Sequence, residues 1–364
     1  MNTVLQKAVG QAQSLSREER IALLSWDNDA ELFAAAYAVK MAQTGPRVSL
    51  RGLVELGNYC AKDCLYCGIR KSNRELERYL IEADEALRMA RWCYERGYGS
   101  VVLQSGEIES PAHTAYVERI IRGIREFAGD SFGITLCLGE QEEDVYSRWL
   151  EAGAHRYLLR IETSNPRLYA AIHPPGHSFQ RRLECLQSLK RLGYQTGSGV
   201  MCGLPGQSLE DLADDIGFFA DMDQDMIGMG PWLPHPDAPL SKGMKLSAEQ
   251  NAAQLRLGLK MIAVTRLFLH DVNIAATTAL QALDGRGREQ GLQAGANVLM
   301  PNVTDVQYRK NYQLYENKPC LDENSEKCRN CLSQRVLSIG EQVSWGERGD
   351  PLHFHKRIVD SKVN

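Results

Sequence analysis

The feature that most restricts how this chain can fold is a regular alternation of strand and helix patterns across residues 48–312. Eight short runs rich in β-branched residues alternate with stretches whose apolar residues recur at three- and four-residue spacing, as in amphipathic helices. Such repetition favours a parallel (β/α)8 TIM-type barrel over a doubly wound open sheet, with a partial barrel of six units as the alternative. The predicted strands are residues 48–56, 100–105, 132–138, 156–161, 196–202, 226–230, 273–278 and 297–300.

The segments on either side of the barrel differ from it in pattern. Residues 1–45 are predicted to form a helical extension, because Ser16 and Glu19 make a capping box ahead of a helical stretch. Residues 46–316 make up the barrel. Residues 317–364 form a C-terminal segment that carries cysteines and has little strand character.

The composition argues against several classes of function. A formal net charge of -4 over 364 residues, with a pI near 6.1, gives no electrostatic reason to expect binding to nucleic acid or to an anionic membrane. No apolar run approaches the roughly 20 residues needed to cross a bilayer, and the first residues lack the pattern of a signal peptide. We therefore expect a cytoplasmic protein whose ten cysteines are thiols or metal ligands.

Cys60, Cys64 and Cys67 carry the clearest chemical signal. Their Cys-x3-Cys-x2-Cys spacing places three thiolates on a loop that follows the first strand, at the end of a barrel where active sites lie. Clusters that only transfer electrons are held by four cysteines, so three thiolates leave one iron of a [4Fe–4S] cluster open to a cofactor. A zinc site is the alternative, but the spacing is unusual for zinc and no Cys or His follows Cys67 before Cys93.

Polar residues also end two other strands. Ser105-Gly106-Glu107 ends the second strand, where small residues allow close backbone approach and a carboxylate accepts hydrogen bonds; a plain turn is the alternative. Arg160 and Glu162 end the fourth strand and share one of its faces by alternation. Because buried charges need partners, this pair predicts an internal salt bridge or a ligand site.

A second set of cysteines lies beyond the barrel. Cys320, Cys328 and Cys331 are close enough in sequence to share one metal centre, which predicts a second cluster, either [2Fe–2S] or [4Fe–4S]. The alternatives are a zinc ion completed by His353 or His355, or no metal.

The first cysteine motif, with Tyr66 before its last thiol, resembles the signature of the radical S-adenosylmethionine (radical SAM) enzymes. The resemblance implies that the methionine end of S-adenosyl-L-methionine chelates the open iron, and that one electron then breaks its C5′–S bond to give a 5′-deoxyadenosyl radical. Ser105 departs from the family pattern, which has a glycine there. Without the resemblance, Arg182 would be interpreted as a solvated helix residue beside Arg181. The implied cofactor contacts are Tyr66, Ser105, Gly106, Glu107, Glu162 and Arg182.

Longer segments, such as Gly230-Pro-Trp-Leu-Pro-His-Pro-Asp237, resemble the HydE family of [FeFe]-hydrogenase maturases, which is related to biotin synthase and methylornithine synthase. This resemblance implies assembly of a dithiolate-bridged di-iron centre from a small cysteine-derived substrate. It also implies an electron donor such as ferredoxin or flavodoxin, and other hydrogenase maturases as partners. The implied substrate contacts are Thr135, Arg156, Arg160, Thr277, Thr278, Met300 and Tyr312.

Some alternatives remain open from the sequence. Thr277 and Thr278 would also be explained as strand formers, and Tyr312 by packing at the barrel end. Within the superfamily, an activity like that of methylornithine synthase or biotin synthase competes with hydrogenase maturation. In other classes, an iron–sulfur electron carrier or scaffold would not cleave S-adenosylmethionine, and a zinc-stabilised barrel would be colourless.

Overall fold

The computed structural model describes residues 3–322 and 325–363, apart from the side chains of residues 327, 328 and 360–363. In this part of the chain the strands are β1 (Arg47–Gly57), β2 (Ser100–Ser105), β3 (Gly133–Cys137), β4 (Arg156–Leu158), β5 (Gln195–Ser198), β6 (Met201–Cys202), β7 (Met226–Ile227), β8 (Gly230–Pro231), β9 (Asn273–Ile274), β10 (Val298–Leu299) and β11 (Gln342–Val343). The helices before residue 230 are α1 (Thr3–Gly10), α2 (Arg17–Ser25), α3 (Asp29–Thr44), α4 (Ala83–Glu95), α5 (Pro111–Ala128), α6 (Glu143–Glu151), α7 (Pro166–Ile172), α8 (Phe179–Arg191) and α9 (Leu209–Asp221). The later helices are α10 (Ala248–Phe268), α11 (Thr278–Leu283), α12 (Gly287–Gln293), α13 (Val306–Arg309), α14 (Ser325–Ser338) and α15 (Leu352–Val363).

Eight parallel strands form a closed barrel. They pair in the order β1, β2, β3, β4, β5, β7, β9, and β10 pairs with the other side of β1. The circle closes between β9 and β10, where the Ala276 amide donates to the Val298 carbonyl at 3.0 Å and the Asn297 amide donates to the Ile274 carbonyl at 2.9 Å. The predicted (β/α)8 TIM-type barrel is therefore confirmed.

Side chains of the barrel strands alternate between the interior and the surrounding helices. On β1, Leu53 and Glu55 line the interior cavity, whereas Val54 and Leu56 belong to the apolar core that the strands share with the helices. This alternation is the ordinary consequence of a two-residue strand period. It brings one set of side chains from each strand to the barrel axis.

The N-terminal helices pack against the barrel helices. The predicted capping box is present: the Ser16 hydroxyl accepts from the Glu19 amide at 3.2 Å, and the Ser16 amide donates to the Glu19 carboxylate at 2.7 Å. Leu23 and Leu32 belong to the main apolar core. No described helix is long and apolar enough to cross a membrane.

Two element predictions need correction. Thr278 was predicted to end a strand, but it begins helix α11, because the ladder of β9 stops at Ile274. The fourth strand stops at Leu158 rather than residue 161, and Glu162 adopts a left-handed backbone with φ of 66°. In the C-terminal segment, for which no particular element was predicted, the structure contains α14, α15 and the short strand β11.

Candidate active site at the barrel mouth

The loop between β1 and α4 holds Cys60, Cys64 and Cys67 at the end where the barrel strands finish, which we call the mouth. Backbone hydrogen bonds fix this loop to three other parts of the chain: the Ala61 amide donates to Glu107, the Leu65 amide to Ile172 and the Gly68 amide to Leu314, at 2.7–3.1 Å. The loop also needs Gly106, because a side-chain carbon there would lie 2.2 Å from the Tyr59 carbonyl oxygen.

The three thiols line one cavity of about 350 Å³ that extends from the mouth into the barrel. Most of the predicted site residues line the same cavity. These are Tyr66, Ser105, Gly106, Glu107, Arg160, Glu162, Arg182, Thr277, Thr278, Met300 and Tyr312.

The raised pKa values of the thiols indicate that a bound cation is needed to hold them as thiolates. Burial raises the pKa of Cys64 to about 12, and burial together with the neighbouring thiols Cys64 and Cys60 raises the pKa of Cys67. Thiolates are the form that binds metal, and a bound cation stabilises them. Three half-buried thiols that line one cavity therefore fit a positively charged group such as the irons of a cluster.

Four charged residues form a network beside the thiols. Lys62, inside the cysteine motif, pairs with Glu107 at 2.8 Å and with Glu140 at 2.9 Å. Arg182 donates from Nε to Glu140 at 2.6 Å and from Nη1 to the Arg160 carbonyl at 2.6 Å. Arg182 is only 7% exposed, so it is not the solvated helix residue of the alternative interpretation. Burial raises the pKa of Glu107 although Arg182 opposes the rise, which makes Glu107 a favourable acceptor for one more cation.

Arg160 and Glu162 form an internal salt bridge. The guanidinium Nη2 lies 2.9 Å from Glu162 Oε2, and Nε lies 3.0 Å from Oε1. The salt bridge predicted from the sequence is therefore present, and both residues also line the cavity, where the ligand site stays a prediction. The left-handed backbone of Glu162 is uncommon for a non-glycine residue and is typical of functional sites.

Hydroxyl groups line the deeper part of the cavity. The Tyr312 hydroxyl accepts from Gln104 Nε2 at 3.1 Å. Thr277 Oγ1 is buried and has no hydrogen-bond partner among the described residues. Buried polar atoms are normally paired, so this hydroxyl fits a ligand in the cavity.

The sequence analysis missed several charged residues of the mouth. Glu140 follows Gly139 at the end of β3, the same glycine–glutamate pattern that drew attention to Gly106 and Glu107. Lys62 lies within the cysteine motif itself. Glu55 and Lys318 form a buried pair in the cavity, and no local pattern connects these two residues.

Two predicted substrate contacts lie elsewhere. Thr135 and Arg156 do not line the large cavity but a small void at the opposite end of the barrel, which we call the foot. There Arg156 pairs with Asp350 and donates to the Arg348 carbonyl at 2.6 Å. The loop that follows β11 thus closes the foot, and the structure does not bring these two residues to the mouth.

The second set of cysteines, beyond the barrel, is described only in part. Cys320 is half-buried and Cys331 is exposed, whereas the side chain of Cys328 lies outside the described residues. His353, one suggested zinc ligand for this triplet, instead contacts Asp223 and Asp271. Nine cysteines are described as free thiols, and none of these is in a disulfide.

Comparisons with known proteins agree with this site. The model of the radical SAM superfamily matches residues 54–219. The [FeFe] hydrogenase maturase subunit HydE of Thermotoga maritima is 42% identical over 320 residues, which cover 87% of this chain and 88% of that protein. The chain belongs to the HydE family of radical SAM enzymes.

More distant members of the superfamily share the fold. The 3-methylornithine synthase of Methanosarcina acetivorans is 25% identical over 82% of this chain and 83% of its own length. The crystal structure of a methylornithine synthase superposes with a TM-score of 0.78 at 23% identity, covering 94% of this chain and 98% of that one. As a radical SAM enzyme, this HydE-family chain uses a [4Fe–4S] cluster and S-adenosylmethionine.

Proposed function

We propose that this HydE-family chain assembles part of the di-iron active site of an [FeFe] hydrogenase, acting on a small cysteine-derived molecule inside the barrel. The observation that carries the proposal is one continuous cavity, lined by three thiols at the mouth and by charged and hydroxyl side chains further in. The Thermotoga relative bears the name of a hydrogenase maturase, and its 42% identity favours this function over that of methylornithine synthase.

Cys60, Cys64 and Cys67 are the proposed ligands of the [4Fe–4S] cluster. With S-adenosylmethionine, the bound cluster supplies a one-electron cleavage that yields a carbon radical. Glu107 accepts from the methionine ammonium, since its carboxylate gains from another cation. Arg182 binds the methionine carboxylate through Nη2, because its Nε and Nη1 donate to Glu140 and to the Arg160 carbonyl.

Further contacts to the nucleotide are proposed around the same site. Glu162 accepts from the ribose hydroxyls, and its salt bridge to Arg160 holds the carboxylate in place. Tyr66 packs beside the cofactor. Ser105 and Gly106 provide the close backbone approach at the end of β2.

The substrate occupies the deeper cavity. Arg160, Thr277, Thr278, Met300 and Tyr312 line it and are the proposed contacts. Lys318 and Glu55 add one charge of each sign to the same wall, a set that suits a molecule with both an amino and a carboxylate group.

Partners, a second cluster and location complete the proposal. A ferredoxin or flavodoxin supplies the electron, and other hydrogenase maturases receive the product. Cys320, Cys328 and Cys331 hold a second [2Fe–2S] or [4Fe–4S] cluster that is not required for cleavage of S-adenosylmethionine. A cytoplasmic location suits an enzyme that depends on free thiols.

Anaerobic turnover tests this function. The chain is reconstituted with iron and sulfide, reduced with dithionite and mixed with S-adenosylmethionine, and 5′-deoxyadenosine is measured. We expect product from the wild type and none from Cys64→Ala. Cys93→Ala, which removes a buried thiol packed between β1 and α4, is the matched control and retains the activity, and Cys328→Ser retains most of it.

The outcome separates the competing functions. Equal product from the wild type and Cys64→Ala would contradict the assigned ligands. An iron–sulfur chain without cleavage would be a carrier or scaffold, and a colourless zinc protein would contradict the cluster. Hydrogen evolution by a hydrogenase matured with this chain supports maturation, whereas cleavage that never supports maturation would favour the biotin synthase or methylornithine synthase alternatives.

A further inference from the structure

Two histidines lie against one of the cysteines of the motif. Cys64 Sγ, one ring nitrogen of His173 and one of His177 all lie within 4.8 Å of one another. His177 Nδ1 is 4.0 Å from the sulfur. Among the described residues, this is the one group of three or more His, Cys, Asp or Glu side chains brought so close together.

His173 is oriented as a metal ligand usually is. Its Nδ1 lies 2.8 Å from the Tyr169 carbonyl, which only accepts, so the proton is on Nδ1 and Nε2 carries a lone pair. The Tyr66 hydroxyl contacts Nε2 at 3.5 Å, and a metal ion at Nε2 replaces this long contact. The Tyr169 ring stacks on the imidazole with centroids 3.9 Å apart and fixes its plane. A ligating histidine typically donates its other N–H to a carbonyl or carboxylate in this way.

The site is accessible to ions. Cys64 and His177 are half-buried, whereas His173 is only 2% exposed. The His173 and His177 rings are stacked with centroids 5.5 Å apart.

We infer that, before its cluster is inserted, this chain binds one divalent transition-metal ion such as Fe²⁺ or Zn²⁺ through Cys64, His173 and His177. One thiolate and two imidazoles suit such borderline metals, and water completes four-coordination. The donors of a tetrahedral zinc site are about 3.6 Å apart, so on binding Cys64 Sγ and His177 Nδ1 approach each other by about 0.4 Å and the other pairs by at most about 1.2 Å. The Cys64 thiol releases its proton to solvent as the sulfur–metal bond forms, and no electron is transferred.

The ion and the cluster share Cys64. The inference rests on the proposed function only in that the proposed function makes Cys64 a ligand of the cluster. A bound Zn²⁺ therefore delays cluster insertion, and a bound Fe²⁺ occupies the position at which insertion begins.

The test is anaerobic titration of the full cluster-free chain with Co²⁺, followed by its visible and near-ultraviolet spectrum. We expect one ion per chain, with tetrahedral bands and a charge-transfer band from one sulfur. His177→Ala, His173→Ala and Cys64→Ala each weaken binding by about tenfold or more. The controls are Cys60→Ala, Cys67→Ala and His235→Ala, the last in the loop that follows β8, and they bind Co²⁺ as the wild type does because none of these residues belongs to the group of three.

Folding and competition are measured on the same variants. Because His173 is buried, thermal unfolding checks that its variant is folded, and the half-buried His177 gives the decisive comparison. Preloading with Zn²⁺ slows iron incorporation in the wild type and not in His177→Ala.

Three outcomes would overturn the inference. Unchanged Co²⁺ binding by His177→Ala would remove the histidine from the site. Equal loss in the Cys60 and Cys67 variants would place the ion among the three thiols. Iron incorporation unaffected by Zn²⁺ would exclude competition. A chain that takes up iron but forms no 5′-deoxyadenosine refutes the proposed function, and the Co²⁺ result is independent of it.

Discussion

Both ends of the barrel have an interior arginine, which lines an open cavity at the mouth and a nearly filled void at the foot. Arg156 and Arg160 are four residues apart on β4 and its extension, and both point to the barrel interior. Arg160 lines a cavity of about 350 Å³ at the mouth, whereas Arg156 lines a void of about 10 Å³ at the foot. An interior arginine therefore indicates a ligand site only where no other segment of the chain reaches it.

The loop around Asp350 makes this difference. Gln195 Nε2 donates to Asp350 Oδ1 at 2.8 Å, and Asn273 Nδ2 donates to the Gly349 carbonyl at 2.9 Å. Burial alone would raise the pKa of Asp350, yet the neighbouring His155, the charge of Arg156 and the hydrogen bond from Gln195 lower it below its usual value. The foot is thus a plug held by charge pairs. Thr135 Oγ1 at the foot and Thr277 Oγ1 at the mouth are both buried without a partner among the described residues, so the two ends differ in the space that the mouth retains.

The largest effect is expected from Asp350→Ala. Removing this carboxylate leaves the nearly fully buried Arg156 without its partner, which costs about 3–5 kcal/mol of the free energy of unfolding. Urea denaturation measures it. Glu347→Ala on the same loop is the control, because its pair with Arg47 is exposed and contributes less than about 1 kcal/mol. If both variants lost a similarly small amount of the free energy of unfolding, the charge pairs of Asp350 would not be what stabilises the foot.

At the mouth, Arg182→Met should affect the cofactor. Loss of a charge-assisted hydrogen bond is worth about 1.5–3 kcal/mol, so we expect S-adenosylmethionine to bind about 10- to 100-fold more weakly. Equilibrium binding to the reconstituted protein measures this. Arg181→Met is the matched control, since Arg181 is half-exposed and pairs with Glu142 at 2.6 Å. Equal affinities for the two variants would contradict the assignment of Arg182.

The smallest effect concerns the pH dependence of the foot. Hydrogen bonds to Asp223 and Asp271 raise the pKa of His353 from 6.5 to about 9, so its contribution to stability is full below pH 6.5 and is lost as the pH rises through 9. Each pKa unit is worth about 1.4 kcal/mol, and solvent at the partly exposed Asp223 reduces the total to about 1–2 kcal/mol.

Urea unfolding at pH 6 and pH 9.5 checks this value. The wild type should have a larger free energy of unfolding at pH 6 than at pH 9.5. This difference should disappear in His353→Gln and remain in His355→Gln, which changes an exposed neighbour. The same pH difference in all three proteins would mean that α15 is not held to the foot by this histidine.

Local patterns predicted the parts of the molecule that depend on neighbours in sequence. The barrel follows from strand and helix periodicity, and the three thiols follow from a spacing within eight residues. Arg156 was assigned to the wrong end of the barrel because its partner Asp350 is 194 residues away. The Glu55–Lys318 pair was missed for the same reason, being 263 residues apart in sequence.

The central claim is that Cys60, Cys64 and Cys67 leave one iron free for the methionine end of S-adenosylmethionine. Electron–nuclear double resonance on the reduced, reconstituted protein tests it directly, using cofactor labelled with ¹⁵N at the methionine amine. We predict a hyperfine coupling between that nitrogen and the cluster in the wild type. A reduced cluster that shows no such coupling in the presence of saturating labelled cofactor would contradict the account.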